Sequence, residues 1–482
     1  MTVPDAVLYD NLSTPNYGFE STAANYDVLI SLDQVVAPAS GVGALSDNLF
    51  PVFNLGAQTK SLVFDEVGII DLSAQLVDSL DGMTPIAFMG TGISLQGNVK
   101  NVGRFIPNDF ILSSGIITSR PLANAQPKSI TPSTFTYMGE EFGISVMVTA
   151  RNGAISHATT RNYVDTFAKL DDLDFTFDKF FAIEELAGGD NNLSTRIADP
   201  NVGASRTISW GTDPGTDGGE GTLSGNLIFN RQASLAQDGP YSALTIGLNT
   251  SDSDNVPFVL DLDIDDAGPD DVATIDQEEF RYGRLLVENA FGSELEPLGV
   301  GFRLQYWDGT EFVLNTDDSS TTILYDGSTA TGANRALKYV SGTFLENLVE
   351  DINDVLDPGE TFVELDAVNL ASNVVISFFE GATQQRSGVD SDANDEQDDI
   401  ALFTSAPGEG FEGTAIIEFD LTDATLPFSL DFLSYDWRGL ADIEDENEDT
   451  VYTDNPRSRV EFGSYRGHDR VINWQEIYIG PN

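Results

Sequence analysis

Apolar and polar residues alternate most regularly between positions 284 and 313. From Val300 to Tyr306 every second residue is large and apolar, and glycine, arginine and glutamine stand between them. A period of two is typical of a strand with one buried face. Asp308 and Gly309 follow, and an Asp-Gly pair favours the positive φ of a tight turn. The pattern predicts a β-hairpin over residues 300–313, preceded by a strand at 284–287.

Short strand-like runs recur along the rest of the chain, separated by clusters of Gly, Asp, Asn, Ser and Pro. They are residues 62–64, 143–148, 227–229, 243–248, 374–379 and 415–419. Apolar spacing predicts one amphipathic helix, at 343–356, which ends before Pro358 and Gly359. We therefore expect a mainly β fold, with serial antiparallel β-sandwich modules that are immunoglobulin-like and few short helices. Strand should exceed about 30% and helix stay below about 15%.

The length of 482 residues suggests about three domains at roughly 150 residues each. We predict an unassigned β-rich module at 1–104, an immunoglobulin-like β-sandwich at 105–240, and a larger β-rich domain at 241–482 that contains the hairpin. Glycine- and aspartate-rich stretches at 188–192 and 211–221 are either linkers or long loops inside one sandwich.

The net charge of the chain is -55, from 78 acidic and 23 basic residues. Such a surface repels nucleic acid and anionic lipid, whose binding depends on Lys and Arg, and it attracts cations. Nucleic acid is therefore not an expected partner. With 41% hydrophobic residues the chain has ample material for sizeable cores. The absence of cysteine excludes disulfides, thiolate catalysis and cysteine zinc sites.

Catalytic signatures are absent from the sequence. Its 2 histidines, His157 and His468, have no nucleophile elbow beside them, and neither a phosphate-binding loop nor a zinc-protease motif occurs. Paired carboxylates are available for glycoside hydrolysis, but 78 acidic residues always supply some pair. We expect the protein not to be an enzyme.

Two acidic loops have the spacing of a calcium site, in which alternate oxygen ligands turn toward a common centre. In the first loop the ligands stand at loop positions 1, 3, 5 and 9, and the glycine usual at position 6 is replaced by aspartate. The second loop keeps that glycine. The predicted metal ligands are Asp390, Asp392, Asn394 and Asp398 in the first loop, and Asp263, Asp265 and Asp271 in the second. Calcium is the expected cofactor, and a solvated acidic loop is the alternative for each.

The few basic residues cluster near the C-terminus. Arg457, Arg459, Arg466 and Arg470 stand close to His468. We predict that they form ion pairs that hold the last strands in place, with a pocket for an acidic glycan as the alternative.

Several segments resemble one family. They are VGRFIPNDF at 102–110, FTYMGEEF at 135–142, VTARN at 148–152, the stretch 280–318 that contains the hairpin, and FGSYRGHDRVINW at 462–474. They resemble, in order, the large domain of unknown function of MshQ-like proteins, which belong to the gene cluster of the mannose-sensitive haemagglutinin (MSHA) type IV pilus of bacteria. The resemblance implies a β-rich fold and association with the cell surface or a pilus, without an assigned chemistry.

We thus expect a non-catalytic extracellular adhesin or pilus-associated surface protein, whose partners are pilus or cell-surface components and surface glycans. A carbohydrate-binding or glycan-active protein and a structural subunit of another surface assembly are the alternatives. The aromatic residues Trp307, Trp437, Tyr465 and Trp474 are candidates for stacking on sugars, with burial in a core as the alternative. The chain shows no signal peptide and no apolar run of about 18 residues. An extracellular location therefore predicts that it is a mature fragment, and no membrane insertion is expected.

Overall fold

The protein is mainly β in the part of the chain that its computed structural model describes. Of the described residues, 53% lie in strands and 5% in helix, which confirms a mainly β fold with few short helices. The immunoglobulin-like character of the modules stays a prediction. The described residues are 26–51, 58–87, 91–94, 96–119, 134–187, 189–200, 206–232, 237–264, 269–296, 298–318, 321–325, 337–342, 363–365, 374–377, 402–404, 413–419, 421, 430–435 and 454–463.

The strands, in chain order, are β1 Tyr26–Ala37, β2 Leu45–Ser46, β3 Leu49–Phe50, β4 Val63–Phe64, β5 Gly68–Asp78, β6 Gln96–Phe105, β7 Asp109–Thr118, β8 Thr136–Tyr137, β9 Glu141–Arg151, β10 Phe180–Glu184, β11 Asn191–Asn192, β12 Ile197–Ala198, β13 Thr207–Trp210, β14 Glu220–Phe229, β15 Tyr241–Leu248, β16 Ala273–Arg281, β17 Gly283–Val287, β18 Ala290–Ser293, β19 Leu298–Val300, β20 Phe302–Trp307, β21 Phe312–Leu314, β22 Thr322–Tyr325, β23 Leu337–Gly342, β24 Val363–Leu365, β25 Val374–Ser377, β26 Leu402–Thr404, β27 Gly413–Phe419 and β28 Arg457–Gly463. Each of the six short runs predicted from the sequence contains or lies within one of these strands.

Helix in the described ranges is confined to single turns of 3₁₀ type. These are Asp165–Phe167, Asp172–Asp174, Phe177–Lys179, Ser194–Arg196 and Asp431–Leu433. The amphipathic helix predicted at 343–356 lies outside the described residues.

The chain forms two compact units. Unit one comprises residues 1–117, 144–226 and 245–277, and unit two comprises 118–143, 227–244 and 278–482. The boundaries predicted near 104 and 240 stay predictions. The glycine-rich stretch at 211–221 contains the connection between β13 and β14, which pair antiparallel from Trp210 to Gly221. It is therefore a hairpin loop and not a linker.

Unit one is organised around long antiparallel strands. One sheet has the order β3-β1-β5-β6, a second the order β12-β14-β9-β7 with β13 beside β14, and a third begins β11-β10-β15-β16. Its core contains an aromatic cluster in which Phe110 lies 5.6 Å from Tyr163, 5.4 Å from Phe258 and 6.2 Å from Trp210, measured between ring centroids. Phe110 and Tyr163 are fully buried.

Unit two contains smaller sheets. Their strand orders are β17-β20-β21, β18-β28-β27-β23, β19-β26-β24 and β22-β25. β8 adds a short parallel pairing, in which Thr136 lies opposite Phe280 and Tyr137 opposite Arg281. The ring of Phe280 packs against Phe142 at 5.2 Å and Phe229 at 4.9 Å, and all three rings are buried.

The predicted hairpin is present. β20 and β21 pair antiparallel, with Trp307 opposite Phe312, and β17 lies on the other side of β20. Gly309 has a φ of +103°, and the Asp308 carboxylate accepts hydrogen bonds from the backbone N–H groups of Thr310 and Glu311 at 2.7 and 2.9 Å. The Asp-Gly pair therefore supplies both the positive φ and the oxygen acceptor that close this turn.

We predict that Gly309→Val lowers the free energy of unfolding by about 1 kcal/mol or more, because a β-branched residue resists a positive φ. The nearest atom to an added Cβ is the Gly239 carbonyl oxygen at 3.8 Å, so the cost comes from the backbone and not from a clash. Thermal melting measures the effect. Gly309→Asn is the matched control and should cost less, because asparagine tolerates positive φ better. Melting of the valine variant at the parent temperature would contradict the turn geometry.

Candidate functional site

Aromatic rings gather around one arginine on the hairpin of unit two. We call this group the hairpin cluster, and it consists of Tyr282, Arg284, Trp307, Phe312 and Tyr435. β17 carries the arginine, the tryptophan ends β20 and the phenylalanine begins β21. The hairpin register brings these three residues to one end of the sheet. Tyr435 lies in the segment that follows the short helix Asp431–Leu433.

The Arg284 guanidinium carbon lies 3.8 Å from the ring centroid of Phe312 and 4.8 Å from that of Tyr435. The Phe312 ring is in edge contact with Tyr435 at 4.9 Å and with Trp307 at 5.5 Å. The Nε of Arg284 donates to Gln305 Oε1 at 2.9 Å. These contacts fix both the arginine and the three rings in one arrangement.

Burial among the rings lowers the pKa of Arg284 to about 10. The guanidinium therefore remains charged at neutral pH. A cation over the face of an aromatic ring is attracted by the ring quadrupole, by about 2 kcal/mol when both are desolvated. Arg284 thus holds the aromatic rings together electrostatically as well as by packing.

Three rings of the hairpin cluster, those of Trp307, Phe312 and Tyr435, are only partly buried, whereas Tyr282 is 1% exposed. Partly exposed rings in fixed positions offer faces on which the C–H faces of sugar rings can stack. Such an arrangement is suited to contact with a planar or ring-shaped ligand, with neighbouring polar groups to orient it. Trp307, one of the residues predicted to stack on sugars, is therefore partly exposed, while Trp437, Tyr465 and Trp474 lie outside the described residues.

A second arginine in unit two occupies a more buried position. The guanidinium of Arg281 lies between the rings of Phe135 and Tyr306, at 4.4 and 4.5 Å from their centroids. It donates to Asn315 Oδ1 at 2.6 Å and pairs with Asp317 at 2.8 Å. This residue links β8, β20 and the segment after β21.

A buried polar network continues from that contact. Tyr137 Oη donates to Asp318 Oδ2 at 2.9 Å and accepts from Asn315 Nδ2 at 2.7 Å. Asp318 also accepts from the backbone N–H of Thr321 at 2.8 Å. All four residues are at most 2% exposed. The network joins the segments 135–142 and 315–318, because each segment supplies hydrogen-bond partners for buried polar groups of the other.

In unit one the segments 102–110 and 148–152 also meet. Asp109 accepts from Arg151 Nε at 2.7 Å and from Asn108 Nδ2 at 2.7 Å. His157 Nδ1 lies 3.8 Å from Asp109 Oδ2, and its side chain is half exposed. This neighbour was not predicted, since the histidine stands in a polar loop. The group holds a loop in place, and the described residues around it include no nucleophile in contact with His157.

The predicted calcium ligands are only partly described. Asp390, Asp392, Asn394, Asp398 and Asp265 lie outside the described residues. Asp263 and Asp271 lie at the two ends of a loop closed by pairing of Leu262 with Val272, and Asp271 Oδ2 accepts from the Ile264 N–H at 3.3 Å. Within the described ranges no group of three or more acidic or histidine side chains is arranged to hold a metal. Calcium binding stays a prediction.

A calcium titration tests that prediction at the 390–398 loop. At a hundredfold excess over Kd, calcium should stabilise the fold by about 2.7 kcal/mol, because it binds the folded state and relieves repulsion among clustered carboxylates. The measurement is the melting temperature at constant ionic strength, with sodium as the control for screening. The double variant Asp390→Ala, Asp392→Ala should lose the response, and an equal rise in parent and variant would remove this loop as the site.

The C-terminal basic residues are described in part. Arg457 Nε pairs with Glu418 at 2.7 Å, directly across β27 and β28. This ion pair joins two strands, as predicted for Arg457. For Arg459 the described residues show no ion pair, and its Nε is buried without a hydrogen-bond partner. Arg466, His468 and Arg470 lie outside the described residues, so the alternative of an acidic-glycan pocket stays a prediction.

Two family models match successive parts of the chain. The DUF6701 third domain matches residues 66–278, and the DUF6701 fourth domain matches residues 281–477. The chain belongs to the DUF6701 family. The ring-bearing residues of the hairpin cluster fall within the fourth domain, and the Asp109 group falls within the third. A comparison with curated proteins finds no match. Among the described residues, no helix has the length and apolar character that crossing a membrane requires.

Proposed function

We propose that this DUF6701 chain is a non-catalytic extracellular adhesin or pilus-associated surface protein that binds surface glycans at the hairpin cluster. The observation that carries the proposal is the set of partly exposed rings held around Arg284. Rigid aromatic side chains give contact area at a low cost in conformational entropy, which suits them to recognition.

Three further observations support a place at the cell surface. The segments quoted above resemble MshQ-like proteins of the MSHA pilus cluster, the described fold is built from antiparallel sheets, and the net charge is -55. A strongly acidic surface stays soluble in salt, because screening over about 10 Å or less reduces its self-repulsion. The pilus connection and the extracellular location belong to the proposal.

The charge also bears on the kind of glycan. A field of net charge -55 repels acidic sugars, and Arg284 is already engaged by Gln305 and by two rings. The favoured ligand is therefore a neutral oligosaccharide that stacks on Trp307 or Phe312, with its hydroxyl groups toward the neighbouring polar side chains.

Binding to an array of neutral and acidic oligosaccharides tests this function, followed by titration of the best neutral binder. Trp307→Ala should weaken binding roughly fivefold or more, since one stacked ring is worth about 1 kcal/mol. Phe291→Ala is the matched control, because this ring belongs to unit two, is 60% exposed and lies outside the hairpin cluster. Absence of binding to every neutral glycan, or equal binding by the parent and Trp307→Ala, would contradict the proposal.

The same experiment separates the alternatives. Cleavage of the bound oligosaccharide would assign a glycan-active enzyme. Self-assembly of the chain without glycan binding would assign a structural subunit of a surface assembly.

A further inference from the structure

One peptide bond of unit one, between Asp213 and Pro214, has unusual surroundings. The carbonyl oxygen of Asp213 accepts hydrogen bonds from the backbone N–H groups of Thr216, Asp217 and Gly218, at 3.1, 3.2 and 3.2 Å. Converging N–H groups are the arrangement that stabilises an oxyanion when a carbonyl carbon is attacked. The carbonyl that they surround is the one that joins Asp213 to proline.

The side chain of Asp213 is exposed and, among the described residues, no hydrogen bond or ion pair engages its carboxylate. Asp217 has a different role, since its Oδ1 accepts the backbone N–H of Asp213 at 2.7 Å. The carboxyl of Asp217 therefore lies beside the backbone of Asp213, at its amide nitrogen. One aspartate is free to move toward the carbonyl carbon, and the other is held beside the same residue in the same loop.

We propose that Asp213–Pro214 is a self-cleaving peptide bond. A carboxylate oxygen of Asp213 attacks its own backbone carbonyl carbon and forms a five-membered ring, a step favoured by proximity. The carbonyl electron pair moves to the oxygen, where the three N–H groups stabilise the negative charge. When the carbonyl re-forms, the bond to the Pro214 nitrogen breaks and that nitrogen takes a proton from the Asp217 carboxyl.

The products are a cyclic anhydride at Asp213 and a new N-terminal proline at position 214. Water opens the anhydride, which leaves Asp213 with its side-chain carboxyl and a new C-terminal carboxyl. One water molecule is consumed for each bond broken, and no oxidant or reductant takes part. Proline favours the reaction because its nitrogen, in a tertiary amide, carries no hydrogen and is a better leaving group once protonated.

The chain contains an internal comparison at Asp199–Pro200. The carboxylate of Asp199 accepts from Arg206 Nη1 at 2.6 Å, and Arg206 is buried. This ion pair keeps the Asp199 carboxylate on the guanidinium. The carboxylate is therefore less available to attack its own backbone carbonyl carbon. The folded protein should therefore distinguish two bonds of identical composition.

Cleavage would not release a fragment from the folded protein. The loop joins β13 and β14, whose backbone pairing runs from Thr207 opposite Ser224 to Trp210 opposite Gly221. The pieces 1–213 and 214–482 would stay associated and separate only after denaturation. The cut chain is thus detected by denaturing electrophoresis and by intact mass.

The test is incubation of the purified full chain at neutral pH and at an acidic pH of about 4, because the departing Pro214 nitrogen must take up a proton. Peptide mapping measures the rates at the two bonds. We expect cleavage at 213–214 to be at least roughly tenfold faster than at 199–200, since one oxyanion donor is worth roughly 100-fold in acyl transfer. In denaturant the two rates should become similar.

Four variants assign the roles. Asp213→Ala and Pro214→Ala should abolish cleavage at this bond, Asp217→Asn should slow it, and Asp199→Ala should leave it unchanged. Circular dichroism of each variant verifies folding. Equal rates at the two bonds in the folded parent would overturn the proposal. A preference for 213–214 that persists in denaturant would also overturn it, because the surroundings described above exist only in the fold.

Discussion

Replacement of Arg281 by alanine is expected to lower the free energy of unfolding of unit two by about 3–5 kcal/mol. The guanidinium lies between the rings of Phe135 and Tyr306, and each desolvated contact of this kind contributes up to about 2 kcal/mol. Its removal also leaves the buried amide oxygen of Asn315 without this donor, at a cost of about 1–3 kcal/mol. Calorimetry and hydrogen exchange within unit two measure the loss.

Arg303→Ala is the matched control for this substitution. Arg303 pairs with Glu288 at 2.5 Å, but the side chains are 40% and 36% exposed, so their ion pair should contribute under about 1 kcal/mol. Arg281→Lys should lie between the two, because lysine retains the charge and loses the planar stacking and the forked donors. A loss in Arg281→Ala no larger than in Arg303→Ala would show that the ring contacts contribute little.

The hairpin shows which features the sequence predicts well. Its strand period and its Asp-Gly turn are both encoded within the residues that pair, so no distant contact is needed to recognise them. The same holds for the short runs that became β9, β14 and β15, where alternation and flanking turn residues are local. In the structure the hairpin register places Trp307 opposite Phe312.

The features that the sequence did not predict depend on residues far apart in the chain. Tyr435 contacts Phe312, and β8 pairs with β16 through Tyr137 and Arg281. The entropic cost of closing a loop grows only slowly with loop length. A large separation along the chain therefore does not prevent two residues from making contact, and it does not indicate that they will. The central role of Arg284 was missed for the same reason. An arginine on a strand is ordinarily a solvent-exposed residue, and its rings come from three different segments.

The calcium prediction illustrates a related limit. The spacing of acidic residues indicates which oxygens would converge on a metal if the loop backbone curled around it. The spacing does not indicate whether the backbone adopts that conformation. In the loop that begins at Asp263, the Asp271 carboxylate accepts the N–H of Ile264. A carboxylate that binds its own loop already has one partner, and the spacing alone does not distinguish that use from metal binding.

Replacement of Phe110 by alanine is expected to lower the free energy of unfolding of unit one by about 3–5 kcal/mol, the range found for buried aromatic residues. Phe110 is fully buried, and its ring contacts Tyr163, Trp210 and Phe258. A cavity at this position removes the contacts with all three rings as well as the buried area. The size of the loss within this range depends on how far the surroundings relax into the space.

Denaturant unfolding followed by tryptophan fluorescence measures this loss, because Trp210 lies 6.2 Å from the deleted ring and reports on the same core. Phe177→Ala is the control within unit one, since Phe177 is 43% exposed and its loss should cost under about 1 kcal/mol. If the two variants unfold at the same denaturant concentration, the aromatic cluster around Phe110 does not stabilise unit one. If Phe110→Ala unfolds first and Phe177→Ala matches the parent, the stability of this unit depends on the packing of that cluster.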